Sequence, residues 1–305
     1  MVMINEQYKP EHVEDSFFDV LLNITTKRLA AKEKKDMVTA DTLKITINAI
    51  FGLLNFPNFW LYDPKAAYSV TITGQLFLLM LIEKLELNGF EVISANTDGV
   101  TALIRKDRVE EYDTLCKQWC EETGLSLEFA KYKHYIRKDV NNYLVVKEDR
   151  GTKVKGCFLT EQELEKGYNT RVIPLALHNY FVNGVPIKDT IEAHTDVLDF
   201  CYSQKIGGQF TPELHYIHED KKVIEQLQKT NRYFISKKGG TFIKRKHDNS
   251  LHNLHLDWQV TILNDYKKSK DSEHLQNIDY RYYIQECNKI IESIEDKQLK
   301  FEWYV

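Results

Sequence analysis

The stretch "EVISANTDGVTALI", Glu91 to Ile104, sets Asn96, Thr97, Asp98 and Gly99 between two runs rich in Val and Ile. Asp-Gly between apolar runs predicts a tight β-hairpin, because both residues tolerate the positive φ that such turns require. The hairpin reading requires no function. It leaves open whether Asp98 also does chemistry at the tip.

The segments before the hairpin read as helices. From about Ser16 to Lys35, "SFFDVLLNITTKRLAAKEKK" predicts a helix opened by a cap at Asp15 or Ser16 and closed by lysines that suit a helix C-terminus. From about Asp41 to Leu54, Leu43, Ile47, Ile50 and Leu54 recur at helical spacing and form one buried stripe. These two helices predict an antiparallel pair. An aromatic, proline-containing loop, "NFPNFWLYDP", leads to a long helix from about Ala66 to Leu87. After the hairpin come a helix near Arg108 to Glu122 and alternating strands with a Gly-containing turn through Phe158. The remainder is mixed: a helical tract near Asp189 to Gln204, a strand-rich segment near Asn231 to Lys246, and a helix from Tyr282 to Asp296. That last helix carries Ile284, Cys287, Ile291 and Ile294 on one face.

Composition excludes several classes. With 305 residues, 43% hydrophobic and 28% charged, the chain is an ordinary globular protein of two or three domains. No uninterrupted run of about 18 apolar residues occurs, and the N-terminus lacks the features of a signal peptide, so a cytoplasmic location is expected. Five cysteines are scattered, and Cys116 and Cys120 stand one helical turn apart with no second pair at zinc-ligand spacing, which predicts structural or incidental thiols. The pairs His215/His218 and His252/His255 read as surface histidines for the same reason. A net charge of -4 confines any nucleic-acid contact to local patches. One such patch lies between Gln226 and His247, where Lys229, Arg232, Lys237, Lys238, Lys244, Arg245 and Lys246 are interleaved with Tyr233, Phe234 and Phe242 and no acidic residue intervenes. Another is "KYKHYIRK", Lys131 to Lys138, which also reads as an edge strand guarded by lysines. Neither offers a base-reading device. Binding there is expected to be sequence-independent and salt-sensitive.

The helical pair concentrates cations. Arg28 and Lys32 are four residues apart, as are Lys44 and Asn48, so each pair shares a helix face. Lys44, Asn48, Phe51 and Gly52 form a second stripe beside the buried one. A triphosphate suits such a face, and Gly52 allows a flat group to pass close to the backbone. A solvated, lysine-rich helix surface is the competing reading.

"KITINAIFG", Lys44 to Gly52, resembles the fingers motif of family B DNA polymerases: Lys, three residues, Asn-Ser, one residue, Tyr-Gly. Ala49 stands for the Ser and Phe51 for the Tyr. Arg28 and Lys32 match the basic pair of the other fingers helix, and "ANTDGV" falls where the palm motif Asp-Thr-Asp-Ser is expected. Further on, "VNNYLVV" (Val140 to Val146) resembles the Lys-x-Tyr region, and "KVKG" (Lys153 to Gly156) the Lys-rich link from palm to thumb. "NRYFISKKGG" is similar in style to thumb regions of bacteriophage members. Five motifs in the family's order carry the resemblance, closely from Arg28 to Gly156 and loosely beyond.

The resemblance implies an α+β fold with a helical fingers hairpin (1–57), a partial antiparallel-sheet palm (58–157) and a mixed α/β thumb (158–305). It implies DNA-directed DNA synthesis on a primer-template from deoxynucleoside triphosphates, with two Mg²⁺ ions held by carboxylates. By carry-over, Asp98 binds metal, and Arg28, Lys32 and Lys44 hold the triphosphate. Asn48 orients it, Phe51 and Gly52 flank the nascent pair, and Lys44 protonates the leaving pyrophosphate. Asn141, Tyr143, Lys153, Lys155, Lys237, Lys238, Lys244 and Arg245 are the corresponding DNA contacts. Asn96 replaces the first aspartate of the palm motif. The family's other catalytic aspartate, in a motif of the kind Asp-x-x-Ser-Leu-Tyr-Pro, has no counterpart ahead of Arg28, nor do the acidic motifs of a proofreading exonuclease. A split polymerase completed by an N-terminal partner chain is therefore expected, with a non-catalytic DNA-binding remnant of an interrupted gene as the alternative.

Overall fold

The computed structural model describes residues 1–148, 151–160 and 169–295, in two compact units that divide between Phe129 and Ala130. The division falls inside the segment 58–157. The first unit begins with α1 (Val2–Asn5), α2 (Ser16–Glu33), α3 (Met37–Leu53) and α4 (Pro64–Leu87). The hairpin strands β1 (Glu91–Ala95) and β2 (Val100–Leu103) and helix α5 (Val109–Thr123) complete it.

Local chemistry explains the helix ends. Asp36 accepts a hydrogen bond from the Thr39 amide at 3.1 Å and starts α3, while Lys35 turns the chain there with φ 59. Asp63 caps α4 by accepting from the Ala66 amide at 3.0 Å, with Pro64 preset in the first turn. At α2 the expected cap does not form. Asp15 occupies the position, but its carboxylate lies 3.3 Å from Lys9 Nζ instead. α2 and α3 pack together as the predicted pair. Leu43, Ile47 and Ile50 are half-buried and Leu54 fully buried.

The first unit holds two small apolar clusters. Met3, Leu21, Leu54, Leu61, Ala66 and Ala67 form one; Leu81, Leu85, Phe90, Cys116 and Trp119 form the other. Trp119 Nε1 donates to the Phe77 carbonyl at 2.7 Å and ties α5 to α4. By length and composition α4 is apolar enough to cross a membrane; Thr71, Thr73, Gly74 and Gln75 interrupt the run in sequence.

In the second unit β3 (Tyr132–Asp139), β4 (Asn142–Lys147) and β5 (Thr152–Lys155) form an antiparallel sheet in that order, so the basic strand β3 is an edge. Helices α6 (Val172–Asn183) and α7 (Ile187–Ala193) follow. Next come β6 (Tyr202–Lys205), β7 (Phe210–His218), β8 (Lys221–Gln226) and β9 (Thr230–Ser236). The chain continues through β10 (Thr241–Lys246), β11 (Leu251–Asn253), β12 (Gln259–Ile262), α8 (Ser272–Asn277) and α9 (Tyr280–Glu295). The helical tract expected from Asp189 to Gln204 is instead the end of α7, a short 3-10 turn at Val197–Phe200 and the start of β6. Asp196 caps that turn by accepting from the Leu198 amide at 2.9 Å, which breaks the run. The strands pair as β11-β10-β7-β8 and β12-β9-β6. One continuous core joins Leu144, Phe158, Leu177, Phe200, Phe234, Phe242, Tyr283 and Cys287, among others. Each fully buried Leu or Phe there contributes roughly 1.5–3 kcal/mol.

Candidate active site

The hairpin forms as predicted, but not through positive φ. Neither Asp98 nor Gly99 is among the positive-φ residues. Instead Asn96 Oδ1 accepts from the Asp98 amide at 3.0 Å, and the Asn96 amide donates to the Gly99 carbonyl at 2.9 Å. An Asx turn thus substitutes for the mirror-image turn. It leaves the Asp98 carboxylate exposed at the tip, rooted between two paired strands.

Asp98 offers a single exposed carboxylate, whereas a Mg²⁺ site takes one or two carboxylates and completes its shell with water and phosphate. Asn96 is already committed to the turn. Among the described residues no three His, Cys, Asp or Glu side chains gather where they could hold a metal.

On α3, Lys44 and Asn48 are exposed, Phe51 is 36% exposed, and a Cβ added at Gly52 would meet nothing within 4 Å. The stripe beside the buried face is therefore open. On α2, Arg28 is half-buried and its Nε is a buried donor with no hydrogen-bond partner among the described residues. An unpaired buried donor costs about 1–3 kcal/mol, more when charged, and marks a place for an acceptor. Lys32 does have a partner: its Nζ donates to Glu128 Oε1. Lys32 holds the Glu128 carboxyl below the usual range, and the Arg28 charge adds to this. Sequence reasoning missed Glu128. A lone acid in an alternating strand-like segment, 96 residues from its partner, gives no sequence signal.

The candidate DNA contacts in the second unit differ in their freedom. Lys153 and Lys155 are exposed on β5, and Asn141 is exposed in the turn before β4. Tyr143 is buried, with its ring 5.8 Å from that of Tyr135. Lys237 and Lys238 are exposed; Lys237 Nζ donates to the Gln276 carbonyl at 2.9 Å. Lys244 lies 5.0 Å above the Phe210 ring. Arg245 makes a two-pronged pair with buried Glu213, at 2.7 Å and 2.9 Å. Of the histidines expected at the surface, one is buried and another half-buried. His215 is buried against Glu213 at 2.7 Å. His255 Nε2 lies 2.8 Å from the Tyr233 hydroxyl, and burial pushes the pKa of His255 down.

No protein-family model matches the chain. Parts of it are similar to curated DNA polymerases. DNA polymerase 1 of Sulfolobus acidocaldarius is 32% identical over 122 residues, covering 39% of this chain and 14% of that protein. DNA polymerase II of Escherichia coli (strain K12) is 27% identical over 117 residues, covering 34% of this chain and 15% of the relative. DNA polymerase of Methanocaldococcus jannaschii is 29% identical over 118 residues, covering 36% and 7%. The chain thus spans only a small part of the relatives' length. Over the matched part, this chain is similar to these DNA polymerases.

Proposed function

We propose that these residues form part of a family B DNA polymerase: the triphosphate-binding face and one metal-binding carboxylate of a site that adds deoxynucleotides to a primer 3′ end. Two observations carry this reading: the open α3 face bearing Lys44, Asn48, Phe51 and Gly52, and, on α2, which packs against α3, an Arg28 Nε with no acceptor among the described residues. These supply what a triphosphate and a nascent base pair need: positive charge, a polar orienting amide and an unobstructed flat approach. Asp98 would hold Mg²⁺, and bound Mg²⁺ would activate the primer hydroxyl and neutralise charge on the phosphates. Lys44 is positioned in this reading to give a proton to the departing pyrophosphate oxygen. The exposed lysines Lys153, Lys155, Lys237 and Lys238 would follow duplex phosphates.

The second carboxylate is proposed to come from polypeptide outside these 305 residues, on a partner chain carrying the Asp-x-x-Ser-Leu-Tyr-Pro motif. The test is primer extension by this chain mixed with that partner. Extension is expected from the mixture and is expected to fall by orders of magnitude with Asp98→Ala. Undiminished extension by Asp98→Ala would remove Asp98 from the metal site. For the α3 face, Lys44→Ala should raise KM for the nucleotide and lower kcat, and unchanged steady-state constants would sink its role.

A further inference from the structure

Two facts on α2 belong together. Arg28 presents a buried Nε with no acceptor among the described residues, and Lys32, one turn along the same face, is held by Glu128. A guanidinium donor waiting for an acceptor beside an ammonium already engaged by a carboxylate describes an anion site with a competitor built in. The carboxylate offers Lys32 two oxygens and one charge, as a phosphate would, but it is tethered to the backbone. Glu128 sits only a few residues after α5, with its side chain 84% exposed. It can therefore swing off Lys32 without opening any core.

We propose that Glu128 is a latch on the triphosphate site, competing with an incoming nucleoside triphosphate for Lys32 and yielding to it. The proposal rests on the triphosphate reading above. In it the phosphate oxygens take Lys32 from the carboxylate and supply an acceptor that Arg28 Nε does not find among the described residues. Glu128 acts through Lys32 and touches no reacting atom, so it is a positioning residue. Its effect is to weaken nucleotide binding, by an amount set by an exposed ion pair and erased by salt.

Fluorescence anisotropy of N-methylanthraniloyl-dATP with the full chain tests this. Glu128→Gln is isosteric at an exposed position, so the fold is expected to survive, and circular dichroism checks it. At low salt Glu128→Gln should bind the probe about two- to fivefold tighter than the unaltered chain, and the difference should vanish near about 0.5 M salt. In a Lys32→Ala background, Glu128→Gln should change nothing. If Lys32→Ala weakens binding while Glu128→Gln leaves it unchanged, the latch is wrong and the triphosphate site stands. Tightening that persists without Lys32 also overturns the latch, in favour of a general field effect. If neither form binds the probe, or binding ignores both Lys32→Ala and Lys44→Ala, the triphosphate reading fails and takes the latch with it.

Discussion

Residues 1–129 spread their buried apolar side chains over two small clusters, whereas the described residues from 130 to 295 gather theirs into one continuous core. The first unit leaves Val20, Leu22, Ile45, Ile72, Leu76 and Leu79 exposed, and keeps its polar stripe on α3 open. The second unit closes over its polar groups: Glu213, His215, Asn231 and Asp279 are all buried. The contrast separates two uses of sequence. The second unit buries and pairs these polar groups around one core, although Ile217 and Leu256 stay exposed on it; the first keeps an open face at the expense of burial.

The largest effect that sharpens this contrast lies at Gly239. A Cβ there would stand 2.2 Å from the Val260 carbonyl oxygen, which is backbone and has no rotamer to escape into. Gly239→Ala should destabilise the second unit by about 3 kcal/mol or more, read as a fall in its thermal midpoint. An unchanged midpoint would mean that the β9–β10 turn is looser than its contacts imply. Tyr283 comes next. Its hydroxyl donates to the Phe200 carbonyl at 2.8 Å and accepts from the Ile235 amide at 2.9 Å, with the ring fully buried. Tyr283→Phe leaves both backbone groups unpaired and should cost about 2–4 kcal/mol in chemical denaturation.

Glu213 gives the second unit a pH dependence. The Arg245 hydrogen bonds, assisted by His215, hold its carboxyl at about 2, against an ordinary 4.5. A carboxyl depressed on folding stabilises fully above the unfolded value, and the contribution is lost as pH falls from about 4.5 toward about 2. Unfolding free energy should therefore drop by about 1–3 kcal/mol across that window, and Glu213→Gln should flatten this part of the profile. A profile identical in the variant would show that the ion pair contributes nothing there.

The same physical difference decides what could be read in advance. On α3, Leu43, Ile47, Ile50 and Leu54 recur at helical spacing, so that stripe was visible even though Val38, Ile45 and Phe51 put apolar side chains on the exposed faces. The β1–β2 hairpin, with Val- and Ile-rich runs around NTDG, and the β9 and β10 strands, with aromatics around Gly239-Gly240, were also visible. α6 was not. "VIPLALHNYFVN" is apolar on nearly every side because the helix is buried in the large core, and a helix without a polar face has no period to detect. Pro174 in its first turn deepened the disguise, although proline is tolerated there. The candidate site, with its cations and Asp98, was drawn from motif spacing in the sequence. Their neighbours were not: pairing of Lys32 with Glu128, or of Arg245 with Glu213, depends on tertiary contacts that no local pattern encodes.

The smallest expected change in stability is also the one that most directly separates folding from function. Gly52 lies in the last turn of α3 with a negative φ and open space where a Cβ would go. A helical glycine costs about 0.5–1 kcal/mol relative to alanine, so nothing in the fold requires glycine at this position. Gly52→Ala should therefore raise the thermal midpoint of the first unit slightly. If the face beside Phe51 is where a base pair passes against the backbone, the same methyl group intrudes on it, and nucleotide incorporation by the completed enzyme should fall while stability rises. Opposite signs in the two measurements would mark Gly52 as kept for its open face. A gain in stability with incorporation unchanged would remove Gly52 from the site and leave the cations of α2 and α3 as its only support.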